Sequence, residues 1–332
     1  MKAFTNLFEE TPLSAVLRDL SIVAVDAGAR GGIDPDLLPI AFAVDVLGFE
    51  PNPEAFGRLS SPNQPSDAWR SVRYLPAALA GAPGRRTLYV PTDPEGASLL
   101  RPDAAIGARF DKPQFFTGIR EIPVECMTLD AAVASAAIGT PAYLKLDVEG
   151  AELEVLAAAP QTLESLVAIK TEVSFLPFRQ RQALAGDVDA FLRARSFHLM
   201  DFLSLSRWRR HGYVLHPHAD RQTIPYARGQ IAHGDALYIR DPETIADDDD
   251  AGLRRLLTTA AIALSFGFFD FAALILQRPR LVADLSGRYK IDADRAIASA
   301  SQLYGRLVWR QAFLRHLRGV VTYLRSAARL YP

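Results

Sequence analysis

The chain has 332 residues, 49% of them hydrophobic and 23% charged, with a formal net charge of −1. This is enough apolar material for a large core plus an accessory region, and the near-neutral charge gives no global attraction to nucleic acid. The single cysteine, Cys126, excludes an intrachain disulfide and a cysteine-rich zinc site, and it suits a reducing compartment.

In the N-terminal stretch MKAFTNLFEETPL, Glu9 and Glu10 stand where a signal peptide would carry its apolar segment, so a cytoplasmic location is expected. Residues 1–20 read as a helical extension. From 21 to 242, short apolar runs alternate with helical stretches, the pattern of a wound α/β sheet. SIVAVDAG (21–28) is a buried strand entering a tight turn that should open a helix. AVDVLGFE (43–50) ends in a second strand, closed by Pro51, Asn52 and Pro53. VRYLPAAL (72–79) and TLYV (87–90) follow. Residues 91–120, rich in Pro, Gly and Asp, read as a long loop over the sheet, of the kind that covers an active site. Next come the strand AYLKLD (142–147), the helix AELEVLAAA (151–159), the strand VAIKTEVSF (167–175), the helix DVDAFLRAR (187–195), and the strands HLMDFL (198–203) and DALYIR (235–240). The acidic run Asp247 to Asp250 marks a helix start, and residues 243–332 read as a helical accessory domain.

The run Leu256 to Gln277 is long enough to cross a bilayer. Gly267 and Asp270 interrupt it, and Thr258, Thr259 and Ser265 dilute its first half, which favours a buried helix pair.

The strongest chemical signal is VDAGARGG (25–32). An acidic residue ends the strand, and Gly28 and Gly32 bracket a turn in which backbone can approach a ligand. A nicotinamide fingerprint, G-x-G-x-x-G, would place Arg30 and Ile33 at its second and third glycines, so that reading fails. The looser spacing fits S-adenosylmethionine, which has no pyrophosphate to cradle. Glu50, 22 residues after Gly28, ends the next strand, where a carboxylate can accept from both ribose hydroxyls. In LKLDVEGAELEVL (144–156), Asp147 stands at the carboxyl end of a central strand, and Glu149 and Gly150 lead into a helix.

Taken in order, VDAGARGG, GFEPNP (48–53), MTLDAAV (127–133) and KLDVEGAELEVL (145–156) resemble the FkbM family of S-adenosylmethionine-dependent methyltransferases, over roughly residues 21–203. The resemblance implies a Rossmann-like class I fold: a seven-stranded sheet, parallel except for one antiparallel strand near the end, with DALYIR a candidate for that strand. It also implies O-methylation of a hydroxyl on a sugar, glycan or secondary metabolite. The cofactor contacts it suggests are Asp26, Gly28, Ala29, Arg30, Gly32, Glu50, Pro51 and Asp147. Arg30 departs from the family's small or amide residue. It meets the cofactor's methionine carboxylate, meets an anionic acceptor, or points to solvent; the sequence leaves all three open.

Methyl transfer to a hydroxyl calls for a base within hydrogen-bond reach of the acceptor. Asp147, Glu149 and Glu172 are the candidate catalytic residues, with Glu149 and Glu172 first for acid–base work and His198 a weaker candidate. The same three acids offer oxygen ligands for magnesium, although no metal loop is recognisable. His211, His216 and His218 lack the ordered context of a zinc site and read as solvated loop histidines. Two other classes stand behind the methyltransferase reading: a non-catalytic Rossmann-like scaffold and, more remotely, an NAD-dependent oxidoreductase.

From Arg306 onward there is no Asp or Glu, while Arg306, Arg310, Arg315, Arg318, Arg325 and Arg329 occur. At about 100° per residue the arginines fall within one half of a helix surface, with Trp309, Phe313, Leu317, Val320 and Leu324 on the other side. One reading is a packed amphipathic helix with solvated arginines. The other is peripheral contact of 306–329 with an anionic inner-membrane leaflet or a lipid-linked substrate.

Overall fold

The computed structural model describes residues 4–60, 68–212 and 229–330. Helix α1 (Ser14–Leu20) leads into β1 (Ile22–Ala27), all six residues of which are buried. The crossing to β2 (Val44–Phe49) is not the helix expected after the glycine turn but a 3-10 run, Pro35–Ala43. Proline explains the difference. Pro35 opens the run, and Pro39 inside it has no N–H for an i→i−4 bond, so an α-helix cannot propagate.

After α2 (Pro53–Leu59), the expected strand 72–79 divides at Pro76 and Ala77 into β3 (Ser71–Leu75) and β4 (Ala78–Leu79). There follow β5 (Gly84–Val90), α3 (Ala104–Arg109), β6 (Arg120–Met127), α4 (Leu129–Ala136), β7 (Tyr143–Leu146), α5 (Glu152–Ala157), α6 (Pro160–Ser165), β8 (Ala168–Ser174), α7 (Ala185–Arg193), β9 (Phe197–Trp208) and β10 (Gln230–Arg240). Helices α8 (Asp250–Ser265), α9 (Phe269–Leu276), α10 (Pro279–Arg288) and α11 (Ala293–Leu330) complete the chain.

Seven strands form one sheet in the order β3-β2-β1-β7-β8-β10-β9. Every strand runs the same way except β10, which is antiparallel to both its neighbours. This is the class I arrangement the resemblance implied, with DALYIR inside its single reversed strand. A small second sheet, β4-β6-β5, stands beside it. Residues 91–120, expected as a covering loop, hold α3 and two 3-10 turns, Pro94–Gly96 and Pro113–Phe115, and Arg120 already opens β6. They are bridged back to the body at Tyr89–Ser98 and Pro102–Arg179.

Period-two alternation splits the strands between two cores. Ile22, Ala24, Val44 and Val46 face one side, against α1, the 3-10 run and α8 to α10; Val25, Ala27, Leu47 and Phe49 face the other, against α4 to α7. Because the β1–β2 crossing supplies no α-helix, α8 covers the first face, with Leu256 and Ile262 fully buried. Residues 250–300 therefore share a core with the sheet. The long apolar run breaks at Gly267 (φ 85°) into α8 and α9, and among the described residues no helix is long and apolar enough to cross a membrane.

This packing makes α8 integral to stability. Leu256→Ala should cost about 2–5 kcal/mol, the range for emptying a buried leucine site. Urea denaturation followed by circular dichroism should show one transition, displaced as a whole. An early transition confined to helix signal would show that the C-terminal helices unfold apart from the sheet.

Candidate functional site

Strand order reverses between β1 and β7, and open α/β sheets hold ligands at such a point, outside the carboxyl ends of their strands. Here the chain ends of β1 and β7 touch. A Cβ on Gly28 (φ 90°) would lie 2.0 Å from the Asp147 carbonyl oxygen, so only glycine lets the two ends close. A cavity of about 340 Å³ opens above them, walled by Gly28, Arg30, Glu50, Pro51 and Asp147 and roofed by Pro94, Ser98 and Leu99 of the covering segment.

Five of the expected cofactor residues thus meet in one place. Glu50 is buried, and its Oε1 accepts the Asn52 N–H at 2.7 Å. Burial raises its carboxyl pKa, while that N–H and the nearby Arg30 charge pull it back. Arg30 itself donates to the Pro94 carbonyl, clasping the Gly28 loop to its cover. Asp26, Ala29 and Gly32 do not line the cavity, contrary to expectation. The N–H groups of Gly28 and Ala29 are tied to the Phe49 carbonyl, at 3.1 and 3.0 Å, and Gly32 donates to Ala29 at 2.9 Å. Asp26 is turned inward: its Oδ2 accepts the Asp34 N–H at 2.8 Å, and its Oδ1 lies 3.4 Å from Lys145 Nζ. These three shape the loop from behind, and Gly31 lines the cavity instead.

Lys145 escaped the sequence reading. Buried on β7, its ammonium lies 3.4 Å from both Asp26 and Asp147 and donates to the Gly28 carbonyl at 3.1 Å. Burial works against its charge, but Asp26 and Asp147 more than offset that and raise its pKa.

A second cavity, about 290 Å³, adjoins the first, since Glu95 and Glu149 line both. Its walls include Glu172, Arg179, Lys112, Trp208 and His233. Trp208 packs on Phe178, ring centroids 4.7 Å apart, and lies edge-on to His233 at 5.8 Å. The Nδ1 of His233 is 2.6 Å from Glu172 Oε1. Burial first, then the charges of Glu149 and Asp147, hold the Glu172 carboxyl well above its usual range, and burial lowers the His233 pKa.

Glu149 sits at φ 59° on the turn after β7, its carboxylate paired with Arg179, which also donates to the Gly96 carbonyl at 3.3 Å. That pairing separates it from the other acids. The carboxylates that gather within 4.8 Å of one another are Asp147, Glu152 and Glu172, so Glu152 replaces Glu149 in the oxygen set considered for magnesium. Glu152 Oε1 is already engaged, accepting the N–H groups of Val148 at 3.0 Å and Gly150 at 2.9 Å.

His198 lies at the amino end of β9, ten residues from Trp208, or about 33 Å along an extended strand. It is exposed and remote from both cavities. His211 is exposed beside Asp111; His216 and His218 lie outside the described residues. The residues missed were His233, Arg179, Trp208, Lys145 and Glu152. Of these, Lys145, a lysine inside an apolar strand two residues before Asp147, was the one a sequence could flag.

A family model, the methyltransferase FkbM domain, matches residues 26–199, just over half the chain. The chain belongs to the FkbM methyltransferase family. Two solved structures are similar to it at low identity. A precorrin-6y C5,15-methyltransferase from Geobacter metallireducens shares 11% identity over 68% of this chain and 87% of its own, with a TM-score of 0.31. An rRNA methylase from Streptococcus thermophilus shares 10% over 68% and 96%, with a TM-score of 0.32. No curated protein matches the sequence.

In this FkbM chain, burial raises the Glu149 carboxyl from 4.5 to about 7, with Arg179 opposing and Asp147 adding. A raised acid favours the folded state when protonated. Its contribution is full below about 4.5 and lost as pH rises through about 7. Glu149→Gln should therefore flatten the loss of stability over that window, measured by urea denaturation at a series of pH values. Parallel stability profiles for the variant and the parent would contradict the assignment.

Proposed function

We propose that this methyltransferase uses S-adenosylmethionine to methylate a hydroxyl of a sugar, glycan or secondary metabolite held in the aromatic cavity, with His233 accepting the proton. The observation that carries the reading is the 2.6 Å contact of His233 with Glu172, in a cavity that shares a wall with the Gly28–Glu50–Asp147 site.

The first cavity suits the cofactor chemically. Glu50 is a buried acceptor with one oxygen held by Asn52, the arrangement a ribose diol needs, and Asp147 supplies negative charge for an ammonium or sulfonium. When bound, S-adenosylmethionine supplies an electrophilic methyl group. The protein's own part is to place the acceptor, exclude water beneath the covering segment and remove a proton. Glu172 orients the imidazole through Nδ1, and ionised Glu172 fixes the tautomer in which Nε2 is the accepting nitrogen. Positive charge in the first cavity favours that ionised form, because the acids that raise the Glu172 pKa face it. Glu149 serves with Arg179 as the partition between the cavities. The gathering of Asp147, Glu152 and Glu172 favours one second reading, a magnesium ion that polarises the acceptor hydroxyl.

Calorimetry should show S-adenosylmethionine binding, weakened by about 2–3 kcal/mol in Glu50→Ala as a charge-assisted pair of hydrogen bonds is lost. An intact fold with unchanged affinity would remove Glu50 from the site, and preferential NAD binding would overturn the methyltransferase chemistry.

For the transfer step, His233→Asn should lower kcat by about 10²–10⁴ while leaving cofactor affinity nearly unchanged. The parent rate should rise with pH as the pair ionises, and the variant should lose that rise. A variant that keeps both rate and profile would place the base elsewhere, and activity lost in EDTA would favour the magnesium reading.

A further inference from the structure

Helix α11 runs for 38 residues, about 57 Å, yet only its first turns belong to the body of the protein. Ala296, Ile297 and Ala300 are buried in the core shared with the sheet. From Ser301 to Val321 no described side chain is fully buried. Among the described residues, nothing therefore covers the apolar stripe of the arginine-bearing segment, against the first of the two readings above. Trp309 is 69% exposed and Leu324 65%, with Phe313, Leu317 and Val320 exposed between them. At about 100° per residue these five fall within about a quarter of the helix circumference, forming one continuous stripe. Trp309 and Phe313 stack on each other along it, centroids 5.6 Å apart.

A stripe of this kind, uncovered among the described residues, leaves two costs standing: apolar surface in water, and a long helical segment without tertiary support. Both are relieved by an apolar partner. The charge pattern indicates which one. Arg306 falls within the stripe at the azimuth of Leu324, Arg310 borders it, Arg318 lies farther round that flank and Arg315 nearly opposite, and no acidic residue follows Arg306. A second copy of the helix would bring only more arginine and nothing to neutralise it. An anionic lipid surface offers both parts at once, acyl chains for the stripe and headgroups for the guanidinium groups, whose stems reach out of the apolar layer. Tryptophan is at home at that boundary.

We infer that α11, from about Arg306 onward, is a docking helix that lies in the surface of an anionic membrane, holding the catalytic domain at the lipid face. The inference is independent of the acceptor and of the chemistry proposed above.

The test is co-sedimentation of the full chain with vesicles of phosphatidylcholine alone and of phosphatidylcholine mixed with phosphatidylglycerol, at low and physiological salt. Binding should be selective for the anionic vesicles and weaken with salt. Each arginine near such a surface contributes about fivefold, so Arg306→Gln and Arg310→Gln together should weaken binding about 25-fold. Trp309→Glu with Phe313→Glu should abolish binding. All these positions are exposed, so circular dichroism should be unchanged in both variants. Four results would overturn the inference: no binding to either vesicle, equal binding to both, undiminished binding by the arginine variant, or light scattering that shows the stripe buried in a dimer lost in the Trp309 and Phe313 variant. Retention on RNA that anionic vesicles do not compete away would likewise assign the surface to another partner.

Discussion

A buried ammonium holds together the strand ends that wall the first cavity. Lys145 reaches from the central strand to the Gly28 carbonyl and to both Asp26 and Asp147, joining three pieces of chain that are distant in sequence. An unpaired lysine at that depth would carry a large desolvation penalty, and two carboxylates offset it. The arrangement works in both directions: Asp26, almost wholly buried, would be as costly without Lys145. Gly28 then allows β1 and β7 to close to a distance that a side chain would forbid. The shape of the first cavity follows from these two facts.

Around the second cavity the balance of charge is different. Glu149, Glu152 and Glu172 all have raised pKa values, with burial the leading cause in each; Asp147 adds to all three, and Glu149 and Glu152 add to Glu172. Arg179 is the buried cation that answers them, through Glu149. The region thus carries more acid than its resident cations neutralise, which is a poised state: positive charge arriving next to it changes which groups hold protons. Such clusters in clefts are the usual mark of reactive sites.

Much of this was legible in the sequence because it depends on local pattern. The β-branched run before Gly28, the acidic strand end at Glu50 and the KLDVEG turn each place one residue by its position at a strand terminus, and the sheet carries those termini to one edge. What was not legible depends on long-range placement. His233 is two residues before DALYIR, and only the reversal of β10 beside β8 brings it opposite Ser174, within reach of Glu172. Trp208 reaches the cavity because β9 extends five residues beyond the HLMDFL run. β6 was missed for a local reason: Pro123 and alternating charges at Glu121 and Glu125 mask its strand character. Asp26 was given a ligand's role because its strand-end position is the usual one, whereas its side chain serves the fold.

The proline-rich crossing from β1 to β2 has a consequence for how the chain comes to be folded. Because that crossing supplies no α-helix, the face of the first strand, which α1 and the 3-10 run cover only in part, is completed by α8, more than two hundred residues downstream. During synthesis at about 5–20 residues per second, β1 and β2 would wait on the order of ten seconds or more for the segment that buries them. Part of their apolar face is open throughout that interval, in a parallel sheet whose pairings already demand long loop closures. The nascent chain is therefore a natural client for chaperones that hold exposed apolar surface, and a ribosome stalled before α8 would release a protein with its Gly28 loop complete and part of one sheet face bare.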